Sequence, residues 1–408
     1  MIGGSQPLKR VADVRYSSVD KKTVEGQVAV RLCNYTDVYY HERITDDLPF
    51  MDASATAEQL NSLELRAGDV LLTKDSETAD DIGVSALVAS DLPGVLCGYH
   101  LALIRPRPEL VDGRYLRWAL VAAPARRQLE VAAAGITRFG LRYDAVAGVL
   151  VPVPPLTEQR AIADYLDAET ARIDALIHLR QAQAALAAVR LDVITRQLVS
   201  TEANGQPYAV VPLRRRWQVI DCKHRTPAYE LEGYPIVSPG DATPGRLDLS
   251  RCTRFVGQDD FDDLAEGERR PRHGDIVYTR NASIGIASYV DTDEPFSMGQ
   301  DVCLIRSADQ DQRYLSYLLN TIGLDQLEEQ KIGSTFNRIN VARVLSLSVP
   351  CPSIADQRRI ADQLDEATDR TSALVAAADR QVALLLERRR ALITAAVTGQ
   401  LEIPGVAA

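Results

Sequence analysis

Val151–Leu166 reads VPVPPLTEQRAIADYL, and Val349–Leu364 reads VPCPSIADQRRIADQL. From residue 151 to 177, about half of the positions are identical to those of the later copy. The match extends in both directions and keeps its order. Pro7-Leu8-Lys9-Arg10 returns as Pro212-Leu213-Arg214-Arg215, GDVLLTK (68–74) as GDIVYTR (274–280), and IGVSALV (82–88) as IGIASYV (284–290). CGYHLALIRP (97–106) returns loosely as MGQDVCLIRS (298–307), RYLRWAL (114–120) as RYLSYLL (313–319), and GIT at 135 as GST at 333. Chance does not preserve such an order, so the chain is a tandem duplication. Its period is far longer than the 20–50 residues of a solenoid repeat, so each copy is a domain followed by a helical segment.

The fronts of the two copies read as β-rich. Val70-Leu71-Leu72 and Ile276-Val277-Tyr278 are short apolar runs after Gly-Asp turns, which predicts strands, with returning strands at 84–88 and 286–290. Tyr115–Val121 and Tyr314–Leu319 have helical spacing. Pro152, Pro154 and Pro155 exclude a central strand and predict an extended closing segment.

The backs read as long helices. Apolar residues recur at spacings of three and four: Ile162, Leu166, Ile173, Leu176, Ile177, Ala184, Leu191, Ile194 and Leu198, then Ile360, Leu364, Leu374, Ala378, Leu385, Leu392 and Ala396. Ser353 with Asp356 fits a loose capping box; the first helix has Pro155 in that place, which leaves its cap open, with Thr157 able to serve. No Gly or Pro interrupts either helix before Gly205 and Gly399, so each can run about 40 residues, or about 60 Å. Ala182, Ala184, Ala185, Ala187 and Ala188 leave one side of the first helix small. That predicts a coiled-coil-like pair, in which Ile162, Leu166, Ile173, Leu176 and Leu191 meet Ile360, Leu364, Leu374, Leu385 and Leu392. The alternative is two separate helices, each under its own front.

The start MIGGSQPLKRVADVRYSS holds no apolar run after a basic one, and no stretch reaches the ~20 apolar residues of a membrane helix. The six cysteines form no CxxC pair, which argues for a reducing cytoplasm and against a disulfide framework or zinc ribbon. Cys222, His224 and Cys252 read as a small core thiol beside a polar loop rather than a metal site. The sequence holds no phosphate-binding GxxxxGK[ST] loop, no GxSxG elbow, no HExxH and no NPPY-type segment. Asp69 and Asp275 with Lys74 suggest a nuclease only weakly, because turn carboxylates before strands are common.

What remains is recognition by loops of the two fronts. GITRFGLRYD (135–144) interleaves Arg138 and Arg142 with Phe139 and Tyr143, and its counterpart GSTFNRIN (333–340) carries Thr335, Asn337 and Arg338. Lys74, Lys223, Arg225, Arg280 and Asn281 complete the expected DNA-contacting set. Arg and Lys read guanine, Asn and Gln read adenine, and other contacts hold phosphates. The net charge of −10 opposes nucleic-acid binding only on average, since DNA responds to the local field.

A Pro-rich strand followed by an EQR-type helix start, written twice, with GDxxxT(K/R) and G(I/S)T segments ahead of it, resembles the specificity subunit of type I restriction–modification systems. The resemblance spans essentially the whole chain, and the repeated helix start is its most specific part. It implies an α+β, pseudo-two-fold protein: two mixed α/β target-recognition domains in tandem, each reading half of a split DNA sequence, separated by two long antiparallel helices. On this chain the domains would be 1–152 and 207–350. The first spacer segment would be 153–206, with its helix at 156–200; the second, with the tail, would be 351–408, with its helix at 354–398. The family's subunit has no catalysis of its own. Two methyltransferase subunits dock on it and two restriction subunits can join, with S-adenosylmethionine, ATP and Mg expected only on those partners. The expected partner is double-stranded DNA, with no membrane. The competing readings are a helical protein-interaction scaffold without DNA specificity and a free-standing nuclease or methyltransferase.

Overall fold

The computed structural model describes residues 4–200, 205–329, 338–404 and 406. It divides into two compact units, residues 1–180 with 379–408, and residues 181–378. Each long helix, Leu156–Ser200 and Ile354–Thr398, therefore gives one part to each unit.

In the first unit a five-stranded sheet has the order Ala12–Tyr16, Leu101–Pro106, Val70–Thr73, Ser85–Val88, Arg43–Ile44. All neighbours are antiparallel except the last pair. The GDVLLTK run occupies the centre, in register Leu71↔Leu103 and Val70↔Ile104. Its four residues are all buried because both faces are covered. Val70 and Leu72 face the core shared with Tyr115, Leu116 and the long helices, while Leu71 faces a second core with Leu32, Val95 and Leu103. That alternation is the two-residue period of a strand.

The second unit repeats this order with Gln218–Asp221, Val302–Arg306, Ile276–Thr279, Ala287–Tyr289 and Gly245–Arg246. Ile276 and Tyr278 face the helical core and Val277 the other. The proline-rich segments lie where prolines are tolerated, in two-stranded ribbons: Ser5–Pro7 with Leu150–Pro152, and Val210–Pro212 with Ser348–Pro350.

The helices run antiparallel within each unit. In the first, Leu166 shares a core with Ile393, Ala396 and Val397, while Asp174 pairs with Arg389 at 3.1 Å. In the second, Val199 shares a core with Ile360 and Leu364, and Gln183–Ile194 lines a groove with Ala367–Leu374.

Of the expected packing residues, Ile162, Leu166, Ile173, Ile360 and Leu364 are buried, and Leu191, Leu374, Leu385 and Leu392 are half-buried. Leu176 is a correction. It is 44% exposed, because Ile177 continues the row from Ile173 at a spacing of four and turns Leu176 to solvent. Ala184 and Ala187 are half-buried, whereas Ala182, Ala185 and Ala188 are exposed. Thr157 is not the cap either: the helix begins at Leu156, and the Pro155 carbonyl accepts from Glu158 and Gln159 N–H. Ser353 does cap the second helix, accepting from Asp356 N–H at 3.2 Å.

The repeated phrase is explained by a buried glutamine. Gln159 accepts from Asp112 N–H (2.8 Å) and donates to the carbonyls of Leu110 (3.0 Å) and Pro154 (2.7 Å). Gln357 accepts from Asp311 N–H (3.0 Å) and donates to Pro352 carbonyl (3.0 Å) and Gln310 Oε1 (2.8 Å). Each glutamine bolts a helix start to the loop that begins the front's own helix. Nearby, Tyr115 and Tyr314 hydroxyls donate to the carbonyls of Pro152 (3.0 Å) and Pro350 (3.1 Å). These groups would be unsatisfied in a core without one another, which is why both copies keep them.

Candidate nucleic-acid interface

Asp69 and Asp275 are buried, and each receives a bidentate guanidinium. Arg105 Nε and Nη2 lie 2.8 and 2.7 Å from Asp69, and Arg306 Nε and Nη2 lie 2.6 and 2.7 Å from Asp275. Both carboxylates also accept a turn N–H, from Arg66 and Arg272. They are fasteners of the Gly-Asp turn, with no open side for a substrate.

Past this turn the strand delivers Lys74 and Arg280 to equivalent places. Lys74 N–H donates to His100 carbonyl (3.1 Å) and Arg280 N–H to Asp301 carbonyl (2.8 Å). Leu141 N–H donates to Lys74 carbonyl (2.8 Å) and Ile339 N–H to Arg280 carbonyl (2.9 Å). Phe139–Gly140 pairs with Asp75–Ser76, and Arg338 bridges to Asn281. One backbone frame therefore joins three sequence-distant segments in each unit.

The side chains on that frame differ. In the first unit Asp75 Oδ2 takes both Lys74 Nζ and His100 Nδ1 at 2.8 Å. Burial raises the Asp75 carboxyl, but hydrogen bonds from Lys74 and His100 outweigh it and hold the group below the usual carboxylate range. Lys74 Nζ also lies over the Tyr99 ring, 4.8 Å from its centroid. Beside this group is a cleft of about 420 Å³ whose lining includes Tyr35, Tyr39, His100, Asp81 and Arg138. Tyr35 and Tyr39 are stacked at 5.4 Å, and Arg138 and Arg142 are exposed.

In the second unit the arrangement is inverted. Asp301 stands at the place of His100 and binds Arg338 (2.7 Å) and Asn281 (3.0 Å). Arg280 is a correction to the expected contact set. Its side chain is 3% exposed and turned inward onto Asp221 and, at 3.7 Å, onto Cys222 Sγ, so it supports the frame and cannot meet a surface ligand. Lys74, 12% exposed, is nearly as enclosed. Lys223 is tied to Asp263 and Arg225 to Asp260 and Asp263 of the helix Gln258–Leu264. Thr335 and Asn337 lie outside the described residues.

Asp221, Cys222 and His224 bring ligand-type atoms within 4.8 Å of one another, and Cys252 is not part of the group. The Arg280 guanidinium already supplies a cation there, and burial pushes the Cys222 thiol up, so the cluster suits an internal ion pair better than a metal ion.

Sequence reasoning passed over His100 and Asp301. The signal was present: they stand at aligned positions of CGYHLALIRP and MGQDVCLIRS, just before a central strand, and they differ in charge.

Residues 228–382 match the family model of the type I restriction modification DNA specificity domain. Over that segment, less than half of the chain, the protein is similar to the type I restriction–modification specificity family. Along its length the chain shares its fold with solved structures. A chain from a structure addressing complex assembly and conformational transition of the type I R-M system matches with a TM-score of 0.76 and 19% identity, over 98% of this chain and 100% of that one. The HsdS subunit from Thermoanaerobacter tengcongensis matches with a TM-score of 0.55 and 18% identity, over 97% of each chain. A search of curated proteins gave no significant match. Among the described residues, no helix is long and apolar enough to cross a membrane.

Proposed function

We propose that the protein is the non-catalytic, sequence-reading subunit of a type I restriction–modification complex. Each unit reads one segment of a split, asymmetric target, and the long helices set the gap between the segments. The observation that carries this reading is one scaffold bearing two different faces. Gln159 and Gln357, Tyr115 and Tyr314, and the Asp69–Arg105 and Asp275–Arg306 pairs do the same work in both units. On the shared frame, Lys74, Asp75 and His100 are replaced by Arg280, Asn281 and Asp301. A homodimer presents identical surfaces and reads a palindrome; a duplicated chain with diverged faces is free to read two unrelated segments.

Docking of two methyltransferase subunits, and of restriction subunits where the system cleaves, belongs to the same proposal. Leu186, Val189 and Val193 are exposed at a, d and a spacing on the first long helix, a seam suited to partner helices. S-adenosylmethionine, ATP and Mg are assigned to those partners.

The test is methylation mapping in cells expressing the full chain with its methyltransferase. The expected result is a two-part motif with a fixed gap, lengthened by one or two base pairs when a helical turn of about four residues (~5.4 Å) is added to both long helices. Methylation without sequence preference would sink the reading and favour a protein-interaction scaffold.

A further inference from the structure

We infer that Ile136, at the tip of the loop Gly135–Arg138, is the apolar base reader of the first unit and packs against a thymine methyl in the major groove. This rests on the DNA-reading function proposed above.

The loop is built to hold its tip still. Ala134 and Gly140 exchange backbone hydrogen bonds, Ala134 N–H to Gly140 carbonyl at 3.2 Å and the reverse at 3.0 Å, which closes the loop at its neck. The neck is pinned to the central sheet, because Phe139–Gly140 pairs with Asp75–Ser76 and Leu141 N–H donates to Lys74 carbonyl. A Cβ at Gly135 would meet the Arg138 carbonyl oxygen at 1.9 Å, so the turn is too tight for any other residue. On this fixed tip Ile136 is 95% exposed. An isolated exposed apolar residue on a mobile loop is unremarked in most proteins. One held out by a stapled turn has lost the freedom to fold back, and its surface is preorganised for a partner.

The charge beside it selects the partner. Among the cations singled out from the sequence that lie in the described residues, Lys74, Lys223, Arg225, Arg280 and Arg338 each have a carboxylate within ion-pair distance. Arg138 and Arg142 have no carboxylate partner among the described residues, and both are exposed. An exposed apolar tip on a loop that carries the unneutralised Arg138, with Arg142 exposed further along the same stretch, fits a polyanion that also presents apolar points. Duplex DNA does so through the C5-methyl of thymine in the major groove, with phosphates and guanine edges available to the arginines.

The experiment uses the full chain with its methyltransferase. In Ile136→Ala the mapped motif should relax at one A·T position in one segment, with the other segment unchanged and the unfolding midpoint unmoved. Binding to a duplex carrying that pair should weaken about fourfold, the value of one methyl-sized contact. Replacing that thymine by uracil should weaken the wild-type protein by the same factor and leave the variant indifferent. An unchanged motif, relaxation at a G·C pair, or uracil and alanine effects that simply multiply would overturn the inference alone. A wild-type complex with no sequence preference would overturn the functional reading and this inference with it.

Discussion

The two units place different electrostatics on one frame. In the first, a single carboxylate, Asp75, lies between Lys74 and His100, and the arginines of the neighbouring loop are left over. In the second, Asp221, Asp260, Asp263 and Asp301 engage Arg280, Arg225, Lys223 and Arg338. Where Gly140 pairs with Asp75 in the first unit, Arg338 pairs with Asn281 in the second and adds a side chain that binds Asp301. Where Arg142 is exposed, the second unit has Asn340, whose side chain caps the helix Val341–Ser346. The lesson is that duplication keeps hydrogen bonds whose loss would orphan a buried group, while solvated positions are free to change sign.

The largest test of that comparison is to break the shared fasteners. Asp69→Ala strands the largely buried Arg105 guanidinium and should cost about 3 kcal/mol in denaturant unfolding, whereas Asp275→Ala should cost less, because Arg306 keeps Glu268 at 2.7 Å. Equal losses would show that the Glu268 contact contributes nothing.

A smaller effect should belong to the first unit alone. Glu42 bridges Arg117 (3.0 Å) and Arg389 (2.6 Å), and Arg389 continues to Asp174. Burial raises the Glu42 carboxyl, and the two arginines more than reverse it. In the second unit Ser316 occupies the place of Arg117, so this charged link has no counterpart there. Glu42→Gln should destabilise by about 2 kcal/mol, less than for Asp69 because the Glu42 side chain is half exposed, while Ser316→Ala should change unfolding little.

The smallest effect is in pH. Asp75 is held below the usual carboxylate range, so its contribution is fully present above the unfolded value of about 3.9 and is lost as pH falls through the lower folded value. Asp75→Asn should flatten that acid limb of the unfolding midpoint. The equivalent position of the second unit already holds Asn281, so Asn281→Ala should leave the acid limb as it is.

Much of this architecture was legible in residues. The strands Val70–Thr73 and Ile276–Thr279, the helices Gly113–Val121 and Gln312–Leu318, and both long helices fall close to where turn signals and periodicity put them. Thr157 and Leu176 misled for local reasons. A proline carbonyl can take a cap's place, and spacings of three and four both fit a helix until a neighbour selects one. The candidate site was less legible. Arg280 and Arg138 looked alike as basic residues in polar stretches, yet one is interior and the other exposed.

The sequence by itself determined the duplication, the two mixed fronts and the two uninterrupted helices, because identity, periodicity and the absence of breakers are properties of neighbours along the chain. Only the tertiary structure decided which cations are free. Arg280 is neutralised by Asp221, 59 residues away, and Arg225 by Asp260, 35 away. Ion pairing depends on a few ångströms through space and takes no account of distance along the chain.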